Sequence, residues 1–167
     1  MWLMREVKKI VHIFLVLILM GGCDSKKKEY AWKTGTTEYE GFPLLLRLPV
    51  GLDYDSLQYQ YPRLFLVTHT LDIVQQSGLP DATYNKGLIE FDDAMVTLFS
   101  NNNSGLTVLV ETFCGKRIYY MYVSNSADTE TAMKHMQKNY SDCRLTWQLK
   151  NDSQWGFIRK YAKDYGL

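Results

Sequence analysis

The sequence predicts an α+β domain, and three observations carry that prediction. Leu106 to Phe113 and Arg117 to Val123 are two strand-like runs joined by Cys114-Gly115-Lys116, in which Gly115 supplies the positive φ of a tight hairpin. Leu88, Phe91, Met95, Leu98 and Phe99 recur at spacings of three and four, the signature of a helix with one apolar stripe. Strand-like and helix-like stretches then alternate to the end of the chain, with Gly, Pro and Asn clusters between them.

The first segment stands apart. Met1 to Lys9 carries Arg5, Lys8 and Lys9 against Glu6, and an apolar run from Ile10 to Met20 follows, broken only by His12. That is the n-region and h-region of a secretory signal. The run is about half of the roughly 20 residues that span a bilayer, so a permanent transmembrane helix is not expected. Gly21-Gly22-Cys23 closes it and resembles the bacterial lipoprotein signal, with Met20 in place of the usual leucine. In that reading residues 1–22 are removed, Cys23 is acylated, and several acyl chains hold the protein at the membrane. The alternative is an ordinary secretory signal in which Cys23 is incidental. Asp24 resembles the residue that retains lipoproteins in the inner membrane, and residues 23–29, with Lys26, Lys27 and Lys28, form a polar tether.

From residue 30 the chain reads as a single domain, 30–167. Tyr30 to Thr36 and Leu44 to Leu48 suit an N-terminal strand pair, joined through Glu40-Gly41-Phe42-Pro43. Leu52 to Tyr61 reads as a long connection closed by Pro62, and Arg63 to Leu71 as a buried strand. Ser77-Gly78-Leu79-Pro80-Asp81 interrupts regular structure before a helix from about Thr83 to Ser100. After the hairpin, Ser124 to Ser126 offer caps for a helix over Ala127 to Asn139, Arg144 to Leu149 alternates as a strand, and Asn151 and Asp152 cap a last helix. From Arg63 the order is strand, helix, strand, strand, helix, strand: a ferredoxin-like split βαβ core over about 63–149, extended by the N-terminal strand pair and the C-terminal helix. In that sheet Cys114 and Cys143 lie about three strand spacings apart, beyond the roughly 7 Å that a disulfide allows between Cα atoms, so they are not expected to pair.

Composition narrows the function. The full chain has 19 basic and 18 acidic residues, and removal of the signal takes three of the former and one of the latter. The near-neutral remainder lacks the electrostatic footprint of a nucleic-acid binder. His69 sits in a strand and His135 on a helix, and no Cys, His, Asp or Glu stands at metal-ligand spacing from His135. No metal or other cofactor is expected. Glu90, Asp92 and Asp93 read as a solvated acidic face, since adjacent helical positions point in different directions. Cys114 beside Lys116 and Arg117 is the one candidate nucleophile, without a neighbouring base in sequence. Aromatics make up 14 % of the chain, with twelve tyrosines. Tyr120 and Tyr122 share one sheet face, where they either join Tyr54, Tyr59 and Tyr61 in an exposed partner-binding patch or are covered by the N-terminal hairpin and the last helix.

Several short motifs resemble one family across nearly all of Tyr30 to Tyr165: Trp32, Glu40-Gly41-Phe42-Pro43-Leu44 with Arg47, Tyr61-Pro62-Arg63, Gly78-Leu79-Pro80, Leu88 to Asp93, Gly115-Lys116-Arg117 with Tyr119 to Tyr122, and Asp152 to Trp155. They are similar to the bacterial domain of unknown function 695. The resemblance implies no activity and no catalytic residues. Members of that family look similar in fold to the regulator of ribonuclease E activity B, which implies a binding module by analogy. The expectation is a lipid-anchored, periplasm-facing protein, in the inner rather than the outer membrane. It would bind a protein partner, in the manner of an immunity or inhibitor protein, through the tyrosine face or the loop at Leu79. The alternative is a small hydrolase or thiol enzyme using Cys114 or His69.

Overall fold

The computed structural model describes residues 30–166. The signal segment, Cys23, Asp24 and the lysine tether lie outside the described residues. The described chain is α+β, a six-stranded sheet with neighbouring strands antiparallel, in the order β1-β2-β4-β5-β3-β6. The strands are β1 (Trp32–Tyr39), β2 (Phe42–Pro49), β3 (Arg63–Thr70), β4 (Gly105–Phe113), β5 (Lys116–Val123) and β6 (Arg144–Asn151). The helices are α1 (Tyr54–Gln60), α2 (Ala82–Gly87), α3 (Ile89–Thr97), α4 (Thr129–Asn139) and α5 (Gly156–Tyr165).

Both hairpins turn by the same device. Glu40 and Gly41 have φ of 52° and 82°, and Cys114 and Gly115 have 44° and 74°. Two central residues at positive φ match the twist of the flanking strands, so each pair of strands stays in register to its tip. β4 carries a bulge between Thr107 and Leu109. Because side chains alternate with period two, the extra residue reverses the faces beyond it. Val108 and Leu109 consequently pack on one side of the sheet, while Val110 and Thr112 turn to the other.

The two sheet faces have separate cores. On the first, Phe65, Val67, Tyr119 and Met121 meet Phe91, Met95 and Phe99 from the α3 segment and Met133 and Met136 of α4. On the second, Leu44, Leu46, Leu64, Leu106, Tyr120 and Tyr122 meet Trp155 and Ile158 at α5, with Leu57 of α1 at the margin. Helices on both faces remove the sheet's apolar surface from water, which is what makes a layered architecture stable.

Three expectations are corrected by the helices and the hairpin. The single helix over residues 83–100 is two, because the chain breaks at Leu88 (φ −89°, ψ 1°) directly after Gly87, the poorest helix former in the run. The connection over residues 52–61 contains α1, for which Asp53 is the N-cap, accepting from the Ser56 amide at 3.2 Å. The N-terminal strand pair does not cover the sheet: β2 pairs with β4 and extends it. Cys114, in the β4–β5 turn, and Cys143, directly before β6, are free thiols, and β3 lies between β5 and β6.

Candidate functional site

Of the two alternatives for the tyrosine face, the covered one holds for Tyr120 and Tyr122, which are core. Tyr122 is 0 % exposed and Tyr120 7 %. Trp155 stacks on Tyr122 at 4.1 Å between ring centroids, and Phe157 on Tyr120 at 4.6 Å. The last helix covers this face because its own apolar side has nowhere else to go, and stacked aromatics add to the area term. Asp152 fastens the cover. Its Oδ1 accepts from the Gly156 amide at 2.8 Å, and its Oδ2 accepts from the Phe157 amide at 3.1 Å and from the Tyr122 hydroxyl at 2.5 Å. Burial first, and then the Asp152 carboxylate, raise that phenol's pKa well above its ordinary 10. Tyr59 is 84 % exposed on α1, and Tyr61 is half-buried with its hydroxyl donating to the Asn103 carbonyl. Neither belongs to a tyrosine surface with Tyr120 and Tyr122.

The candidate bases fare differently. His69 is fully buried, its ring 4.8 Å from that of Phe91, and neither ring nitrogen has a hydrogen-bond partner. Burial, reinforced by the Arg117 guanidinium, lowers its pKa from 6.5 to about 4. His69 is therefore a neutral core residue without solvent contact. His135 is exposed on α4, 2.9 Å from Asn139 of the same helix. No group of three potential metal ligands occurs among the described residues. Cys114 is exposed at the β4–β5 tip, where Gly78 packs so closely that a Cβ there would lie 2.9 Å from the Cys114 Cα. The Gly78 carbonyl accepts from the Gly115 amide at 2.8 Å, so the loop bearing Leu79 is fixed against the hairpin, with Leu79 itself half-buried.

Asp92 corrects the expectation of a solvated acidic face. Glu90 and Asp93 are exposed, but Asp92 is 7 % exposed and held from three sides. Arg117 Nη1 lies 3.1 Å from its Oδ1, Arg47 Nη2 2.6 Å from its Oδ2, and the Tyr119 hydroxyl donates to Oδ1 at 2.7 Å. Arg47 makes its contact as an ion pair without hydrogen-bond alignment. Arg117 also donates from Nε to Thr112 at 3.2 Å and from Nη2 to Asn85 at 2.6 Å. The signal for this cluster was present in the sequence. Asp92 stands four residues after Leu88 and three before Met95, inside the apolar stripe and not opposite it.

Beside the cluster, a cleft of about 280 Å³ opens between the β1–β2 pair and the α2–α3 segment. A second concavity of about 480 Å³ lies between α1 and the loop before β4, lined by residues such as Gln60 and Asn103. On the α5 face, Glu111 accepts from the Tyr161 hydroxyl at 2.9 Å, and burial raises its carboxyl pKa above 4.5.

Four of the eight exposed large apolar side chains among the described residues, Tyr39, Phe42, Ile73 and Val74, lie at one end of the sheet. Tyr39 and Phe42 flank the β1–β2 turn and meet Phe113 edge-on at 5.5 and 6.4 Å. Ile73 and Val74, both exposed, lie in the loop after β3, and Val74 approaches Gly115 at the neighbouring turn. Tyr30, where the described chain begins, is at the other end of β1. No helix among the described residues is long and apolar enough to cross a membrane.

The profile of a family described as "Family of unknown function (DUF695)" matches residues 30–161. No curated protein and no solved structure gives a match.

Proposed function

The chain belongs to the DUF695 family of unknown function, and from that premise we propose a lipid-anchored, periplasm-facing binding module that engages a protein partner through the apolar end of its sheet. The observation that carries this reading is the grouping of Tyr39, Phe42, Ile73 and Val74 at the end of the sheet opposite Tyr30. Eight residues of strand separate the two ends by about 26 Å. A chain acylated at Cys23 would reach Tyr30 through a tether of at most about 25 Å, joined to the sheet at the end opposite the apolar side chains. Exposed aromatics in that position suit a protein surface better than lipid.

The ferredoxin-like description of residues 63–149 belongs to the same reading and is supported by the antiparallel order β4-β5-β3-β6. A non-catalytic role is supported by the way three shielded carboxylates are engaged within the fold: Asp92 by arginines, Asp152 by a helix start, Glu111 by Tyr161. An immunity-like protein, held at the inner membrane by Cys23 and Asp24 to meet an incoming toxin, is one form of this function.

The test is crosslinking with mass spectrometry on native membranes, comparing wild type, Cys23→Ser and Phe42→Ser/Ile73→Ser. The expected result is one reproducible protein partner, lost in the double variant while its thermal unfolding is unchanged, and release from the membrane in Cys23→Ser. Retention of every crosslink in the double variant overturns the binding surface, and a membrane-bound Cys23→Ser protein overturns the anchor.

A further inference from the structure

We propose that the cleft beside Asp92 binds a small zwitterion of the α-amino-acid class, with its carboxylate on Arg47 and its ammonium on Asp93. The cleft is too small for a large ligand, at about 280 Å³ against the several hundred usual for drug-sized molecules. Two arginines, Arg47 and Arg117, and two aspartates, Asp92 and Asp93, line it, so its formal charge is balanced.

Three of those charges are paired within the protein, Arg47 through one edge of its guanidinium alone, and Asp93 is not. Arg117 is occupied by Asp92, Thr112 and Asn85, and Asp92 by both arginines and Tyr119. Arg47 uses Nη2 on Asp92 and rests its Cζ 6.0 Å from the Trp32 ring centroid. A guanidinium carries five donors in a planar fork, and among the described residues no acceptor engages the Nε and Nη1 side of Arg47. Asp93 is exposed, and its carboxylate has no partner among the described residues; its backbone carbonyl accepts from Thr97.

The free edge of one guanidinium and one unpaired carboxylate therefore line a common cleft without forming an ion pair with each other. A simple anion would be drawn to Arg47 and repelled by Asp93, and a simple cation the reverse. A molecule carrying both charges on adjacent groups satisfies both. Leu45, Val110 and the 57 % exposed Ile89 supply apolar contact for a side chain. The Asp92 cluster is the positioning element, holding Arg47 on one side so that its other side stays directed outward. This site is distinct from the apolar end of the sheet, and neither depends on the other.

The experiment is isothermal titration calorimetry of the full-length protein in detergent with L-leucine, N-acetyl-L-leucine and L-leucinamide. Leucine is expected to bind at least about tenfold more tightly than either analogue, each of which keeps one of the two charges. Asp93→Asn, at an exposed position outside the core, should abolish the preference for leucine over N-acetyl-leucine. Arg47→Lys, which keeps a charge beside Asp92 and loses the planar edge, should weaken leucine and N-acetyl-leucine and leave leucinamide unchanged. Equal affinity for leucine and N-acetyl-leucine in the wild type, or no binding of leucine at concentrations on the order of 10 mM, overturns the proposal.

Discussion

The indole of Trp155 lies parallel to the ring of Tyr122, with an interplanar angle of 16° and centroids 4.1 Å apart, and its Nε1 donates to the Tyr61 carbonyl at 2.8 Å. One residue thus ties α5, β5 and the end of α1 together. It does so from a left-handed backbone conformation, φ 55° and ψ 35°, which the surrounding contacts must hold.

Trp155→Ala should therefore be among the most destabilising changes in the chain. The expected loss is about 3–5 kcal/mol, from the cavity and from exposing Tyr122. Tyr122→Phe should cost less, about 1–2 kcal/mol, since it removes only the hydroxyl that meets Asp152. Urea unfolding followed by far-ultraviolet circular dichroism separates the two. Similar midpoints for Trp155→Ala and wild type would refute the role of the stack.

Breaking the pair on the other face should be costly for a different reason. Asp92→Leu leaves Arg117 buried without its carboxylate, and the expected destabilisation is about 3–5 kcal/mol. Arg47→Met should be milder, because the Arg47 side chain is 35 % exposed and Arg117 still meets Asp92. Equilibrium unfolding of both variants gives the order, and a larger loss for Arg47→Met would reverse this account.

His69 gives the fold a pH dependence whose sign follows from its burial. Its native pKa of about 4 lies below the unfolded value of 6.5, so the unfolded chain takes up the proton first. The stability contributed is complete above pH about 6.5 and is lost as pH falls toward about 4, by about 3 kcal/mol at most. Glu111 acts with the opposite sign, because burial favours its protonated form. Asp81 and Asp128, lowered from 3.8 chiefly by backbone amides, act below that window. His69→Leu isolates the histidine: the slope of stability between pH 6.5 and 4 should flatten, and the variant should be more stable than wild type at pH 5. An unchanged slope would show that His69 is protonated in the native protein.

The two cysteines should react at different rates. Cys114 is exposed, whereas burial followed by the charges of Asp72 and Asp142 raises the Cys143 thiol pKa above 9 and reduces its reactive thiolate. Alkylation at pH 7.5 with peptide mapping should label Cys114 first and recover no Cys114–Cys143 disulfide. Faster labelling of Cys143 would contradict its placement.

Much of the architecture was readable because it is local. The β4–β5 hairpin follows from two strand-like runs and one glycine, α4 from its methionines although its N-cap is Asp128 and not Ser124 to Ser126, and the apolar stripe from Leu88 to Phe99 from spacing alone. The break at Leu88 and the short α1 were missed where weak local preferences compete, Gly87 in one case and a single Asp53 cap in the other.

What the sequence by itself determined is the six strands, the helical stretches other than α1, their order, and which residues of each are apolar. Only the tertiary structure decided which face each polar residue meets. The bulge at Thr107–Leu109 turns Thr112 toward Arg117 and Glu111 toward Tyr161, and no local pattern announces an inserted residue in a run as apolar as Leu106 to Val110. Likewise Asp92 meets Arg47 and Arg117 only because β2 joins the sheet beside β4, a contact between strands far apart in the chain. Covering Tyr120 and Tyr122 with α5 is decided at the same level, since burial depends on where a distant helix comes to rest.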